Sequence, residues 1–193
     1  HRLAQFNPRG TDVAVILDLM IHDLDLILSL VKSEVKTIEA AGISVLSDSE
    51  DIANARLTFE NGCVANITSS RISARPLRKM RLFEKNSYIS LDFLQRSVEV
   101  YKLVDADFVP KEEREKKTIL GNIPTGETGK TIIYEKPEIE SEDMLTLEIK
   151  SFLDAVKKKK HPKVSGEDGK RALEVALEIV DKAKEHREWS IKL

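Results

Sequence analysis

From Val13 to Val31 the chain is apolar at nearly every position, a run long enough for about five helical turns. Its middle is broken by Asp18, His22, Asp23 and Asp25. At roughly 100° per residue, Asp18, His22 and Asp25 fall in one narrow sector of a helix, and Asp23 points elsewhere. A helix is expected over residues 11–32, with Thr11 or Asp12 placed to accept from its first amides. Ahead of it, residues 1–6 read as a short strand and Asn7-Pro8-Arg9-Gly10 as a turn.

Beyond Ser33 the period changes. Residues 35–45 read as a strand, and residues 52–59 alternate, with Ala53, Ala55, Leu57 and Phe59 on one side. Asn61-Gly62 is a strong hairpin signal, and residues 63–72 return. A two-residue loop would set Phe59 opposite Val64 and bring Asn66, Thr68 and Ser70 onto that same face, which suits either the floor of a sugar site or an open, solvated sheet face. Residues 77–84, 88–93 and 97–104 read as three more strands, joined by loops short enough to enforce antiparallel neighbours. Residues 105–130 carry no period and are expected to be a long loop, with strand resuming at Ile132. Two helices close the chain, one over residues 141–160 with Leu145, Ile149, Phe152, Leu153 and Val156 as its apolar face, the other from Ser165 with Ala172, Leu173, Ala176, Ile179, Val180 and Ala183 turned inward.

Composition narrows the class. A chain of 193 residues with 41% hydrophobic and 33% charged residues can build one folded domain with a real core. The net charge of −2 lacks the basic excess of a nucleic-acid binder. The single Cys63 cannot form an internal disulfide, which suits a reducing cytoplasm. The apolar run at 13–31 carries too many titratable residues for a membrane helix. Gly129-Lys130-Thr131 resembles the end of a phosphate-binding loop, but Pro124 stands where the first glycine is required and a strand pattern follows where a helix is needed.

The polar stripe in the first helix is the candidate chemistry. Asp18 and His22, four apart, could be simple surface neighbours. His22 with two carboxylates could supply metal ligands, although no second His or Cys lies near in sequence. His22 could also be a general acid/base oriented by Asp18. Arg9 before the helix is either solvated or a contact for an anionic substrate group. Arg71, Arg75, Arg78, Lys79 and Arg81 form a basic cluster, read either as a solvated sheet edge or as a seat for a substrate diphosphate.

Asp18-x-x-x-His22-x-x-Asp25 within Leu17–Asp25 resembles the signature helix of the glucose-fructose oxidoreductase / inositol dehydrogenase / rhizopine catabolism family of NAD(P)-dependent sugar and polyol dehydrogenases, and Pro162–Glu174 is similar to that family's penultimate segment. The resemblance implies an α+β domain, with a mostly antiparallel sheet of about six strands and helices on one face, of the glyceraldehyde-3-phosphate dehydrogenase-like C-terminal type. It implies His22 as general acid/base, Asp18 orienting the imidazole or the substrate hydroxyl, and Asp25 in a supporting role. From the residues themselves, Arg9, Asn66, Thr68 and Arg71 are the candidate substrate-binding or supporting residues. No metal is expected. The family's G-x-G-x-x-G pyrophosphate turn is absent from residues 1–193. The expectation is therefore a C-terminal substrate-binding and oligomerisation domain, with NAD or NADP bound mainly by an N-terminal Rossmann domain. Glu135-Lys136-Pro137 spells the tripeptide that carries the family's active-site lysine, but it lies over a hundred residues after the helix rather than before it and is read as coincidence. A sugar or nucleotide sugar is the expected ligand, and a homodimer or homotetramer through the sheet face the expected assembly. The alternative is a non-catalytic regulatory or sugar-binding relative, against which the presence of both Asp18 and His22 argues.

Overall fold

Strand alternation decides which side of the first sheet is buried. Strand β3 (Ile52–Phe59) turns Ala53, Ala55, Leu57 and Phe59 inward, as its pattern requires, and leaves Asn54, Arg56 and Thr58 outside. The computed structural model describes residues 1–8, 10–105, 118–123, 129–139 and 143–190. These fall into two compact units, His1–Leu77 with Glu142–Leu193, and Arg78–Ser141.

In the first unit the strand order is β2 (Val35–Ile43), β3, β4 (Val64–Ser70) and β1 (Arg2–Leu3). The first three are antiparallel and β1 runs parallel to β4. One side of this sheet carries a π-helical turn (Ile16–Met20), helix α1 (Ile21–Val31) and the final helix α3 (Gly166–Ser190), which lies along β2 and against α1. The core gathers Val15, Ile16, Met20, Leu24 and Leu28 from the first helical segment and Leu57, Phe59 and Ile67 from the sheet. Helix α3 adds Ala172, Val175, Ala176, Ile179, Val180 and Ala183, spaced three and four apart along one stripe. Its start is fixed by a reciprocal cap, in which the Asp168 amide donates to Ser165 Oγ and the Ser165 amide to Asp168 Oδ2.

Helix α2 (Met144–Lys158) differs from expectation. Its cap forms as read, with the Thr146 amide donating to Asp143 Oδ2, yet it has no buried residue. Leu145, Ile149, Phe152, Leu153 and Val156, expected to cover the sheet, are 46–63% exposed. The amphipathic pattern specifies the helix but names no partner for its apolar face.

The second unit is a sheet in the order β5 (Leu77–Glu84), β6 (Ser87–Asp92), β7 (Ser97–Asp105), β9 (Lys130–Glu135) and β8 (Thr118–Ile123), antiparallel throughout. Phe83, Tyr88 and Tyr101 stack across three of its strands and Tyr134 on a fourth tilts against Tyr101, with successive ring centroids 4.8, 5.3 and 5.1 Å apart. The described strands number nine rather than about six, and the arrangement is mixed because β1 pairs parallel to β4. Strand β9 contains the strand expected to resume at Ile132, and β8 is additional. Strand β8 falls inside the stretch expected to be loop, since its Thr-Ile-Leu-Gly-Asn-Ile carries no clean alternation and its pairing with β9 shifts register between Ile119 and Gly121. Residues 106–117 and 124–128 of that expected loop lie outside the described residues. No described helix is long and apolar enough to cross a membrane.

Candidate active site

The first helical segment begins later than its apolar pattern suggests. Thr11 does not cap it, because Thr11 Oγ1 donates to the Pro8 carbonyl. Residues 11–13 form turns instead, and the Val15 amide donates to the Glu50 carbonyl at 2.8 Å. The first five residues then take π geometry, with the Ile21 amide donating to Ile16 O. A π turn closes i→i+5 bonds and occurs often at functional sites. Asp18 sits at its centre, half-buried, and its carboxylate lies 3.5 Å from the point where a side chain on Gly10 would begin. Gly10 holds φ +78°, a backbone conformation that glycine adopts at no steric cost.

One helical segment thus carries Asp18, His22 and Asp25. His22 is exposed, and Asp25 is half-buried. Asp23, which the helical wheel separates from the other three, points inward, where it is 7% exposed and pairs with Arg2 of β1 at 3.9 Å. The sequence does not single out this buried pair, because Arg2 lies twenty-one positions away on a two-residue strand. Arg9 lies outside the described residues.

Asn66 and Thr68 are not on the helical side. The β3–β4 loop closes with three residues, Glu60-Asn61-Gly62, and the Phe59 amide donates to Cys63 O. Gly62 takes φ +85°. Val64 therefore faces Thr58 rather than Phe59, and Asn66 and Thr68 face Arg56 and Asn54. They pair there, Arg56 Nη1 donating to Asn66 Oδ1 at 3.0 Å and Thr68 Oγ1 to Asn54 Oδ1 at 2.9 Å. A one-residue change of register moves every side chain to the other face, so these residues lie across the sheet from α1.

Arg71 is likewise not an open substrate contact. It is 3% exposed, and its guanidinium is engaged within the chain. Nε lies 3.0 Å from Asp51 Oδ1. Nη1 donates to Gly10 O, and Nη2 is within hydrogen-bond distance of Val13 O at 2.6 Å, Glu50 O at 2.9 Å and Ser49 Oγ at 3.0 Å. Asp51 is fully buried, and its Oδ2 accepts the amides of Val45, Leu46 and Ser47 at 2.7–3.0 Å. Burial pushes its carboxyl up, but the Leu46 and Val45 amides together with the Ser47 hydroxyl and amide outweigh it and hold the group at about 2. Asp51 closes a stretch of polar turn residues, and nothing local distinguishes it from Asp48. The rest of the basic cluster is dispersed, with Arg78 stacked over Phe93 and Lys79 paired with Asp92 at 2.9 Å.

Lys130 and Thr131 open strand β9 rather than a helix. Glu135 of the Glu-Lys-Pro tripeptide pairs with Lys102 across the sheet at 3.8 Å. Among the described residues no group of three His, Cys, Asp or Glu is placed to hold a metal ion. Between β1 and the first helical segment the sequence carries the single glycine Gly10 rather than a G-x-G-x-x-G run.

Residues 4–88, which contain the π turn, α1 and the Arg71–Asp51 pair, match the model of the GFO/IDH/MocA C-terminal domain. Over these residues the chain is similar to the GFO/IDH/MocA family. It is 36% identical over 179 residues to a UDP-N-acetylglucosamine 3-dehydrogenase of Acidithiobacillus ferrooxidans, an alignment covering 93% of this chain and 51% of that protein. A solved structure of that dehydrogenase superposes with a TM-score of 0.79 at 35% identity, covering 96% of this chain and 53% of the other. A levoglucosan dehydrogenase in complex with NADH shares the fold, with a TM-score of 0.70 at 14% identity over 96% of this chain and 55% of the other. The chain spans about half the length of the relatives it matches.

Proposed function

We propose that this chain is the substrate-binding part of an NAD(P)-dependent oxidoreductase that interconverts a secondary alcohol and a ketone on a sugar, polyol or nucleotide sugar. A UDP-linked amino sugar is the first candidate, on the likeness to the UDP-N-acetylglucosamine 3-dehydrogenase. The observation that carries the reading is the π turn that sets half-buried Asp18 just ahead of exposed His22 on one helical segment. Imidazole exchanges protons near neutral pH, so His22 takes the hydroxyl proton as the alcohol is oxidised and returns it in reduction. Asp18 orients the imidazole or the reacting hydroxyl, and Asp25, one turn further along, supports the substrate side.

NAD or NADP is the redox partner this reading requires, and it is held mainly by a separate Rossmann domain of the same polypeptide. The relatives' double length supports such a domain, and the bare apolar face of α2 is the kind of surface it would cover. The aromatic row of the second unit, with Phe83 75% exposed, supports self-association through that sheet.

The test is turnover of the intact enzyme with UDP-N-acetylglucosamine and NAD or NADP, followed by the appearance of reduced dinucleotide. Formation of a keto sugar nucleotide in step with the reduced dinucleotide supports the reading. An enzyme that binds both ligands and turns over neither this sugar nucleotide nor a panel of free sugars and polyols overturns it.

A further inference from the structure

The ion pair between Arg71 and Asp51 is more elaborate than stability requires. A buried pair returns little net stability once its desolvation is counted, and apolar residues of similar volume often serve as well. What a fully bonded pair provides is a defined geometry, and here that geometry belongs to one loop. Residues 10–13 contain no helix or strand. The carbonyls of Gly10 and Val13 accept from Arg71, and those of Thr11 and Val13 from Ser49 Oγ, at 3.4 and 3.0 Å. Arg71 is itself aimed by Asp51, and its own amide donates to Asp51 O at 3.0 Å. Asp51 in turn is fixed by three amides of the 45–47 turn. The loop begins at Gly10, whose Cα side faces the Asp18 carboxylate, and leads to Val15, whose amide is held by Glu50 O.

We propose that Arg71 and Asp51 are positioning residues for Asp18, fixing the 10–13 loop against which its carboxylate rests and so the start of the π turn. Neither residue touches the reacting atoms. This rests on the reading of Asp18 and His22 as the proton-handling pair. A displacement of about 1 Å at such a site can cost on the order of a hundredfold in rate, which is why a buried clasp some distance from the chemistry matters.

Two variants of the intact enzyme test it, with UDP-N-acetylglucosamine and NAD as probes. Arg71→Lys keeps a cation beside Asp51 but cannot reach Gly10, Val13 and Glu50 together. Gly10→Ala leaves the pair untouched and sets a methyl 3.5 Å from the Asp18 carboxylate at a strained φ. Each is expected to lower kcat about tenfold or more per folded molecule, to leave KM for NAD within about twofold, and to shift the acid limb of the kcat–pH profile. Turnover lost only in proportion to the unfolded fraction, with an unmoved pH profile, overturns the proposal. Should Arg71→Lys fail to fold, Ser49→Ala takes its place, because it removes the hydroxyl that bonds the Thr11 and Val13 carbonyls and meets Arg71 Nη2. The control is His22→Ala. Wild-type turnover that is absent with this sugar nucleotide and with a panel of free sugars and polyols, with either NAD or NADP, or turnover that survives His22→Ala, removes the proton-transfer reading and this proposal with it. Turnover abolished by His22→Ala but unmoved by both Arg71→Lys and Gly10→Ala removes only the positioning role.

Discussion

Replacing Asp51 by asparagine keeps the shape of the side chain and removes one buried charge. In the native chain that carboxylate accepts three backbone amides and the Ser47 hydroxyl and faces Arg71 at 3.0 Å, with both partners buried. Its pKa is held at about 2 against an ordinary 3.8. A depression of that size corresponds to roughly 2 kcal/mol of folding stability. The side-chain amide of the variant can offer one oxygen to these donors, and it leaves the Arg71 guanidinium without its counter-charge. Breaking a buried pair from one side costs about 3–5 kcal/mol, so Asp51→Asn is expected to lose about that much at neutral pH. Because the pair lies in one of two compact units, the assay is hydrogen exchange of the β3 and β4 amides in urea rather than a whole-chain signal. The pH dependence carries a definite sign. Asp51 is depressed in the folded chain, so its contribution is complete above the unfolded value of 3.8, fades as pH falls, and is gone below about 2. The gap between wild type and Asp51→Asn should therefore narrow by roughly 2 kcal/mol between about pH 5 and pH 2. A variant within about 1 kcal/mol of wild type at neutral pH, or a gap that stays constant in acid, would refute this account of the pair.

Phe59 is 1% exposed between the sheet and its helices, so Phe59→Ala should lose about 3–5 kcal/mol in a urea titration followed through the same amides, and a loss below about 1 kcal/mol would mean the core is not where the fold places it. Asn66→Ala and Thr68→Ala test the β3–β4 register. Lying across the sheet from α1, both should leave kcat of the intact enzyme within about twofold of wild type, whereas a loss of tenfold or more would return them to the substrate side.

Local periodicity is a good guide where one face is buried and the other wet. Strand β3 occupies the residues its alternation marks, and the inward stripe of α3 matches the expected spacing apart from Leu173, which remains 43% exposed. The Asp18-x-x-x-His22-x-x-Asp25 segment is legible from residue types alone, but its geometry is not. A constant 100° per residue cannot anticipate a π turn, and the turn depends on contacts made by Glu50 and Arg71, far along the chain. The hairpin shows the same limit at short range. Asn61-Gly62 marks a tight turn without saying whether two residues or three close it, and that single residue moves Asn66 and Thr68 to the other face. Arg71 and Asp51 are illegible as a pair because twenty positions separate them and neither lies in a motif. Asp23 points away from the polar stripe, and that is the direction of its partner. Helix α2 is amphipathic as its pattern requires, but a pattern does not say what covers it.

The central claim is that His22 moves the proton, and the most direct measurement is kcat of His22→Ala in the intact enzyme beside the affinity for NAD or NADP measured by titration. The account predicts that kcat falls by about 10²–10⁴ while dinucleotide affinity stays within about twofold of wild type. Near-normal turnover in His22→Ala would contradict it.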